Sequence, residues 1–376
     1  MKTEKGLNNM EQSPNSLEHV LQKASNELPL TRQEVEFLLG IEQRDQLDLL
    51  FQTACHLRNK YFGKKVFLYG FIYFTTWCRN DCTFCYYRRS NKISYRYRKS
   101  REEVIDAAKR LAASGVHLID LTSGEDPLMY RDEGFRLLID LVKEIKEQTG
   151  LNIMVSPGVV PADVLDSLVC AGADWYACYQ ETYNRELFAG LRLDQDYDLR
   201  YFTKKRAKNS GLLVEEGILA GVGETTSDII FCFEKMRELG AHQVRVMSFV
   251  PQKGTPLEYM PAPSQLNELK IIALLRILFP DRLIPASLDV DGIAGLRARL
   301  AAGANVVTSI IPPSLGFAGV AQCNKDIDAG YRTVQGVLPE LEKMGLRAAT
   351  RKEYADWVAA ERRKLGCKVE GKEMAG

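Results

Sequence analysis

The sequence has no run of about 18 apolar residues, so no segment reads as a membrane-spanning helix. Its opening residues, MKTEKGLNNMEQSPNS, contain no apolar stretch of the kind a secretory signal needs, and the expectation is a cytoplasmic protein. Neither sign of charge dominates. Fifty Lys and Arg stand against 49 Asp and Glu, a net charge of +1, which leaves no global field for nucleic acid or a membrane surface. No low-complexity repeat is visible. Six of the nine cysteines, Cys55, Cys170, Cys178, Cys232, Cys323 and Cys367, are scattered without a pattern. In a long intracellular chain such thiols are reduced core residues, which argues against a disulfide framework. Apolar residues at 45% and charged residues at 26% are ordinary for a soluble globular chain.

What is present is a change of rhythm near residue 62. From Ser16 to Tyr61 apolar residues recur at helical spacing (Leu17, Val20, Leu21; Leu47, Leu50, Phe51, Ala54). Thr31 with Glu34 reads as a capping box. Residues 1–62 are expected to form a helical cap. Short apolar strands then alternate with helices, from VFLYGFIYF (66–74) to ANVVTSII (304–311) and a last helix near 325–345. Ser100 with Glu103 is a second capping box. Eight strand–helix units call for a parallel sheet closed into a (β/α)8 TIM barrel over residues 63–350, an α/β fold with an N-terminal helical extension. Residues 351–376 read as a C-terminal helical tail. In such a barrel function sits at the carboxyl ends of the strands.

After the first strand comes TTWCRNDCTFCYYRR, with Cys78, Cys82 and Cys85 spaced C-x3-C-x2-C. Structural zinc takes four ligands, usually as two C-x2-C pairs, and no second pair follows. The loop does not open a helix after a thioredoxin-like strand either. Three thiolates can hold three irons of a 4Fe–4S cluster and leave the fourth iron open. The loop resembles the C-x3-C-x-aromatic-C signature of the radical S-adenosylmethionine (SAM) family, with Phe84 in the aromatic slot. The resemblance implies a 4Fe–4S cluster on Cys78, Cys82 and Cys85. It also implies SAM chelated at the open iron and cleaved to a 5′-deoxyadenosyl radical.

A SAM site must cradle a zwitterion, a ribose and an adenine. TSGEDP (122–127) resembles the family's Gly-Glu motif after strand two, which makes Glu125 the candidate for the SAM ammonium; the alternative is a solvated turn acid. GVGET (221–225) resembles the adenine loop, where Gly221 and Gly223 admit a flat base because glycine has no Cβ. Ser156, Tyr179 and Glu181 follow as contacts to the ribose or the amino acid part of SAM. Arg192 is either a partner of the SAM carboxylate or a surface arginine.

Charges inside barrel strands are expensive unless paired. Asp120 sits in Leu-Ile-Asp-Leu, and Arg245 interrupts Val-Arg-Val-Met; Ser287 and Asp289 lie two apart after strand seven. An arginine can clamp a carboxylate and aspartates can take ammonium groups, so the set suits an amino acid with an extra amine. An internal Arg–Asp ion pair is the alternative.

Segments such as VRVMSFVPQKGTPLE, RLIPASLDVDGI and GANVVTSIIPP narrow the resemblance to a lysine mutase branch of the radical SAM family, over residues from about 55 to 345. It implies that Asp120, Arg245, Ser287 and Asp289 bind L-lysine, with no catalytic side chain beyond the cluster and SAM. The implied reaction is isomerisation to (3R)-3-methyl-D-ornithine, the first step of pyrrolysine biosynthesis. A ferredoxin or flavodoxin-type donor would supply the electron, and the N-terminal helices would close the lumen. The alternative is a hydrogenase-maturase-like enzyme acting on another small amino-acid-derived substrate. Biotin synthase chemistry needs a second cluster on inner-barrel cysteines, for which only Cys178, in strand four, is a candidate.

Overall fold

The computed structural model describes residues 16–131, 134–312, 315–321 and 332–366. Cys323, Cys367, the first fifteen residues and the expected start of the last helix at 325–331 lie outside them.

Three helices open the chain: α1 (Leu17–Ser25), α2 (Arg32–Leu39) and α3 (Arg44–Phe62). Thr31 and Glu34 form the expected capping box at α2. Then comes β1 (Lys65–Thr75), whose residues after Lys65 are all buried. Burial on both faces is what a parallel strand under helices requires. The chain continues through α4 (Arg101–Ser114), β2 (Leu118–Ser123), α5 (Gly134–Thr149), β3 (Asn152–Ser156), α6 (Ala162–Ala171) and β4 (Trp175–Ala177). Two helices follow, α7 (Arg185–Leu191) and α8 (Tyr197–Asn209), then β5 (Leu213–Ala220), α9 (Thr226–Leu239), β6 (Gln243–Ser248) and α10 (Gln265–Leu278). The barrel ends with β7 (Pro285–Ser287), α11 (Leu296–Ala301), β8 (Val306–Ile310) and α12 (Val334–Lys343). A two-residue strand, β9 (Arg347–Ala348), and α13 (Arg351–Lys364) complete the described chain. Ser100 and Glu103 cap α4 as expected, and Thr350 and Glu353 cap α13 in the same way.

The eight barrel strands pair in parallel in the order β6-β5-β4-β3-β2-β1-β8-β7. Gln243 bridges Leu283 just before β7, so the eighth seam is nearly closed. This is the expected (β/α)8 barrel. Strands four and seven are shorter than their apolar runs, because only three residues of each lie in the ladder.

The N-terminal helices are not a lid. They pack along the outer flank against α9, α10 and α11: Arg58 Nη1 donates to the Leu300 carbonyl and Lys270 Nζ to that of Leu39. The expectation that they close the lumen is therefore corrected. It is the amino end of the barrel that is sealed, and by α13. Tyr354 meets Tyr69 hydroxyl to hydroxyl at 2.8 Å, and Trp357 stacks on Trp175 with ring centroids 5.9 Å apart. Phe67, Leu118, Met154, Leu213 and Val306 complete this apolar floor.

Candidate active site

The cysteine loop lies over the carboxyl end of β2. Gly124 permits it: a Cβ there would stand 2.3 Å from the Trp77 carbonyl oxygen. Asp126 is buried and accepts from Thr75 Oγ1 at 2.7 Å and from Arg98 Nε and Nη2 at 2.7 and 2.9 Å. It thereby ties the loop's two arms to the barrel.

Burial pushes the Cys78 thiol up to about 11, with the nearby charges of Cys82 and Glu125 adding to it. Burial, then Cys82 and Cys78, push Cys85 well up also. Two thiols held above their ordinary range beside a third cysteine are a poor set as free acids. They suit iron, because a coordinating metal removes the proton outright. Among the described residues no group of three or more His, Cys, Asp or Glu side chains closes around a single metal ion. A cluster makes no such demand, since each thiolate binds a different iron. Gln195 Nε2 donates to Cys82 Sγ at 3.1 Å, and Arg192 Nη1 stands 3.7 Å from the same sulfur.

Inside the mouth is a cavity of about 180 Å³. It brings together nine of the predicted residues: Phe84, Cys85, Asp120, Ser156, Tyr179, Glu181, Arg245, Ser287 and Asp289. Its walls also include Phe249 and Val250 after β6 and Val320 and Ala321 after β8. Cys78, Cys82, Glu125, Arg192, Gly221 and Gly223 do not line it.

Asp120 accepts from Thr122 Oγ1 at 2.8 Å and Ser156 Oγ at 3.0 Å. Burial, with the charge of Glu215 next, raises its pKa to about 7. The internal Arg–Asp pair weighed from sequence is absent at this position: Arg245 pairs with Glu215. Arg245 Nη1 donates to Tyr179 Oη at 3.0 Å and lies 3.3 Å from Glu215 Oε1; Nη2 meets Thr308 Oγ1 at 3.3 Å. Ser156 and Tyr179, expected on the SAM side, thus hydrogen-bond the two charged groups expected to hold the amino acid.

Glu215 was missed, although two glutamates in the apolar strand LLVEEGILAG carry the same signal that marked Asp120. Arg332 was missed too, and nothing in its local sequence marks it. Buried Arg332 donates from Nη1 to Asp289 Oδ1 at 2.9 Å, while the backbone N–H groups of Val320 and Ala321 reach Oδ2. Asp289 is thus already partnered rather than an open carboxylate.

Glu181 and Arg192 form a buried pair, so the surface reading of Arg192 is corrected. Glu181 itself holds a left-handed backbone, φ 67°. Glu125 is buried, not a solvated turn acid: it accepts from Arg79 Nε at 3.1 Å and from the Val159 N–H at 3.2 Å, with Arg200 3.6 Å away. It borders a second, outer cavity of about 410 Å³. In the GVGET loop Glu224 accepts the N–H groups of Gly221 and Val222. Val222 packs with Leu219, Phe249 and Phe84 in an apolar patch beside the cysteine loop. Cys178 faces the packing between sheet and helices, not the lumen, which removes the one candidate for an inner-barrel second cluster.

A parallel barrel whose mouth carries three clustered cysteines beside a charged cavity defines a class. The chain belongs to the radical SAM superfamily, whose family model matches residues 72–236; enzymes of this class use a 4Fe–4S cluster and SAM. Within it the chain is 43% identical to the 3-methylornithine synthase of Methanosarcina acetivorans, over 86% of this chain and 92% of that one. It is 44% identical to the 3-methylornithine synthase of Methanosarcina barkeri, over 90% and 94%. A crystal structure of methylornithine synthase (PylB) superposes with a TM-score of 0.86 at 43% identity, covering 90% of this chain and 99% of that one. The hydrogenase maturase subunit HydE of Thermotoga maritima is 34% identical over 74% of this chain and 79% of its own.

Proposed function

We propose that the protein is a cytoplasmic radical SAM isomerase that converts L-lysine to (3R)-3-methyl-D-ornithine, the first step of pyrrolysine biosynthesis. The observation that carries this reading is a single cavity in which Phe84 and Cys85 of the cysteine loop share walls with Asp120 and Arg245. Cys78, Cys82 and Cys85 are the ligands for three irons. Glu125, Glu181, Arg192, Gly221 and Gly223 frame SAM, with Phe84, Ser156 and Tyr179 between SAM and substrate. When bound, the cluster and SAM supply a radical that removes hydrogen from an unactivated carbon.

This chain's own task is binding and confinement. Arg245 holds the α-carboxylate in paired hydrogen bonds. Asp120 takes an ammonium group, for which its pKa near 7 leaves it ionisable at neutral pH. Ser287 and Asp289 orient the rest of the substrate. Lysine and its product are isomers, so no atom enters or leaves. Apolar walls from Phe249, Val250, Val320 and Ala321 keep water from the rearranging carbon chain. In this reading residues 1–62 are a flanking helical unit, 63–350 the catalytic barrel, and the tail from 351 its floor.

The electron comes from an acidic ferredoxin or flavodoxin-type protein. Residues 77–101 hold eight Arg and Lys against one Asp in a chain of net charge +1; Arg79, Arg88, Arg98, Lys99 and Arg101 pair with carboxylates, and Arg89, Lys92 and Arg96 lie in the same segment as exposed Trp77, Ile93 and Tyr95. A basic patch with apolar contacts fits an acidic partner.

The test is anaerobic incubation of the iron- and sulfide-reconstituted protein with SAM, dithionite and 13C-labelled lysine. The expected product shows a rearranged carbon skeleton by NMR. Accumulation of 5′-deoxyadenosine over unrearranged lysine overturns the mutase reading in favour of a maturase-like one, to which the HydE likeness would then point.

A further inference from the structure

Two adjacent glutamates on β5 face opposite ways. Glu216 points out of the barrel and pairs with Lys204, both fully buried and both away from the cavity. Glu215 points into the lumen. It is 1% exposed and accepts from Tyr179 Oη at 2.8 Å, Gln243 Nε2 at 2.7 Å and Arg245 Nη1 at 3.3 Å. Two of these three partners line the cavity. The barrel has an apolar alternative at such a position, because inward residues are normally branched aliphatic filler. Replacing a buried ion pair by apolar groups is often neutral or stabilising, so stability alone does not call for one here.

The guanidinium geometry shows what the pair does. Both Nη1 contacts, Tyr179 and Glu215, lie on one side of Arg245. The other side keeps Nη2, whose protein contact is the Thr308 hydroxyl, and Nε, which has no partner among the described residues. Nη2 and Nε are the parallel donor pair that a carboxylate takes side-on.

We propose that Glu215 is a positioning residue for the amino acid site: it fixes Arg245 through Nη1 and so presents the Nη2 and Nε donors to the substrate α-carboxylate. This rests on the reading of the cavity as an amino acid site. It also accounts for the charge balance. Glu215 offsets Arg245, which leaves Asp120 as the surplus negative group of the three, and lysine carries one surplus positive charge. Asp120 also feels Glu215 directly, since the Glu215 charge helps to raise it.

The test compares Glu215→Gln and Glu216→Gln with the wild type as reconstituted holoenzymes, using L-lysine and 1,5-diaminopentane, which lacks the carboxylate. Glu215→Gln keeps the side-chain shape and loses the charge that holds Arg245. It is expected to weaken lysine binding and raise KM about ten- to a hundredfold, with diaminopentane binding changed less than threefold. The pH at which lysine affinity is half lost should also move down, because Asp120 loses a like charge. Glu216→Gln should lower Tm and leave lysine KM alone. If Glu215→Gln does not fold, Glu215→Asp, which keeps the charge on a shorter arm, replaces it with the same expectation of a carboxylate-selective loss. Unchanged lysine affinity in a folded variant overturns the assignment, as does an equal loss for lysine and diaminopentane. Failure of the wild type to bind lysine overturns the functional reading, and the Glu215 assignment with it.

Discussion

Ser156 of β3 donates a 3.0 Å hydrogen bond to Asp120 of β2, and with Thr122 and the charge of Arg245 it offsets part of the burial of that carboxyl. The pKa of Asp120 is about 7 against an ordinary 3.8. The native state therefore keeps this proton to higher pH than the unfolded chain does. Its contribution to stability is full below about pH 4 and falls as pH rises through about 7. Asp120→Asn removes that dependence. The variant should gain in Tm relative to the wild type between pH 5 and pH 8, while losing lysine turnover throughout. Thermal melts across that range check it, and a pH-independent difference in Tm contradicts it.

Gln195 touches the cysteine loop rather than the substrate cavity. Hydrogen bonds to cluster sulfurs raise the reduction potential by stabilising the more negative, reduced state. Gln195→Leu removes the 3.1 Å bond to Cys82. The midpoint potential in an EPR-monitored redox titration should fall, with iron content unchanged. An unchanged potential would show that the amide does not reach the sulfur once the cluster is bound.

Arg332 and Asp289 make a third case. Removing one partner of a buried pair leaves a charge stranded, at about 3–5 kcal/mol. Arg332→Met should lose stability on that scale in urea melts. The double variant Arg332→Met, Asp289→Asn should recover most of it and still bind lysine poorly. Recovery of lysine binding in the double variant would make Asp289 a purely structural residue.

The floor of the barrel supplies a stability test distant from the cavity. Tyr354 is fully buried against Tyr69 and Phe67. Truncating a large aromatic in such a place costs about 3–5 kcal/mol. Tyr354→Ala should lower the urea midpoint accordingly. Tyr354→Phe, which loses only one buried hydroxyl contact, should cost about 1 kcal/mol.

Much of the site was legible because its signals are local. Three cysteines within eight residues are a motif whatever surrounds them. The capping boxes at Thr31 and Ser100 need only three residues' reach, and strand–helix alternation is read from periodicity. Asp120 and Arg245 stood out because a charge in an apolar strand is costly wherever that strand goes. The same rule applied to Glu215, and only its outward neighbour Glu216 blurred it, since a strand's inward face is not known until its helices are placed.

The amino acid order by itself determined the cysteine triad, the barrel and the two charges at its mouth. Only the tertiary structure decided the partnerships: Arg245 with Glu215, Asp289 with Arg332, Arg192 with Glu181, and α13 rather than the N-terminal helices as the plug. These contacts join segments up to 285 residues apart, as with Tyr69 and Tyr354. Periodicity fixes which way a side chain points within its own strand. It carries no information on which strand or loop the closed barrel brings opposite, and that is where the charge pairing is settled.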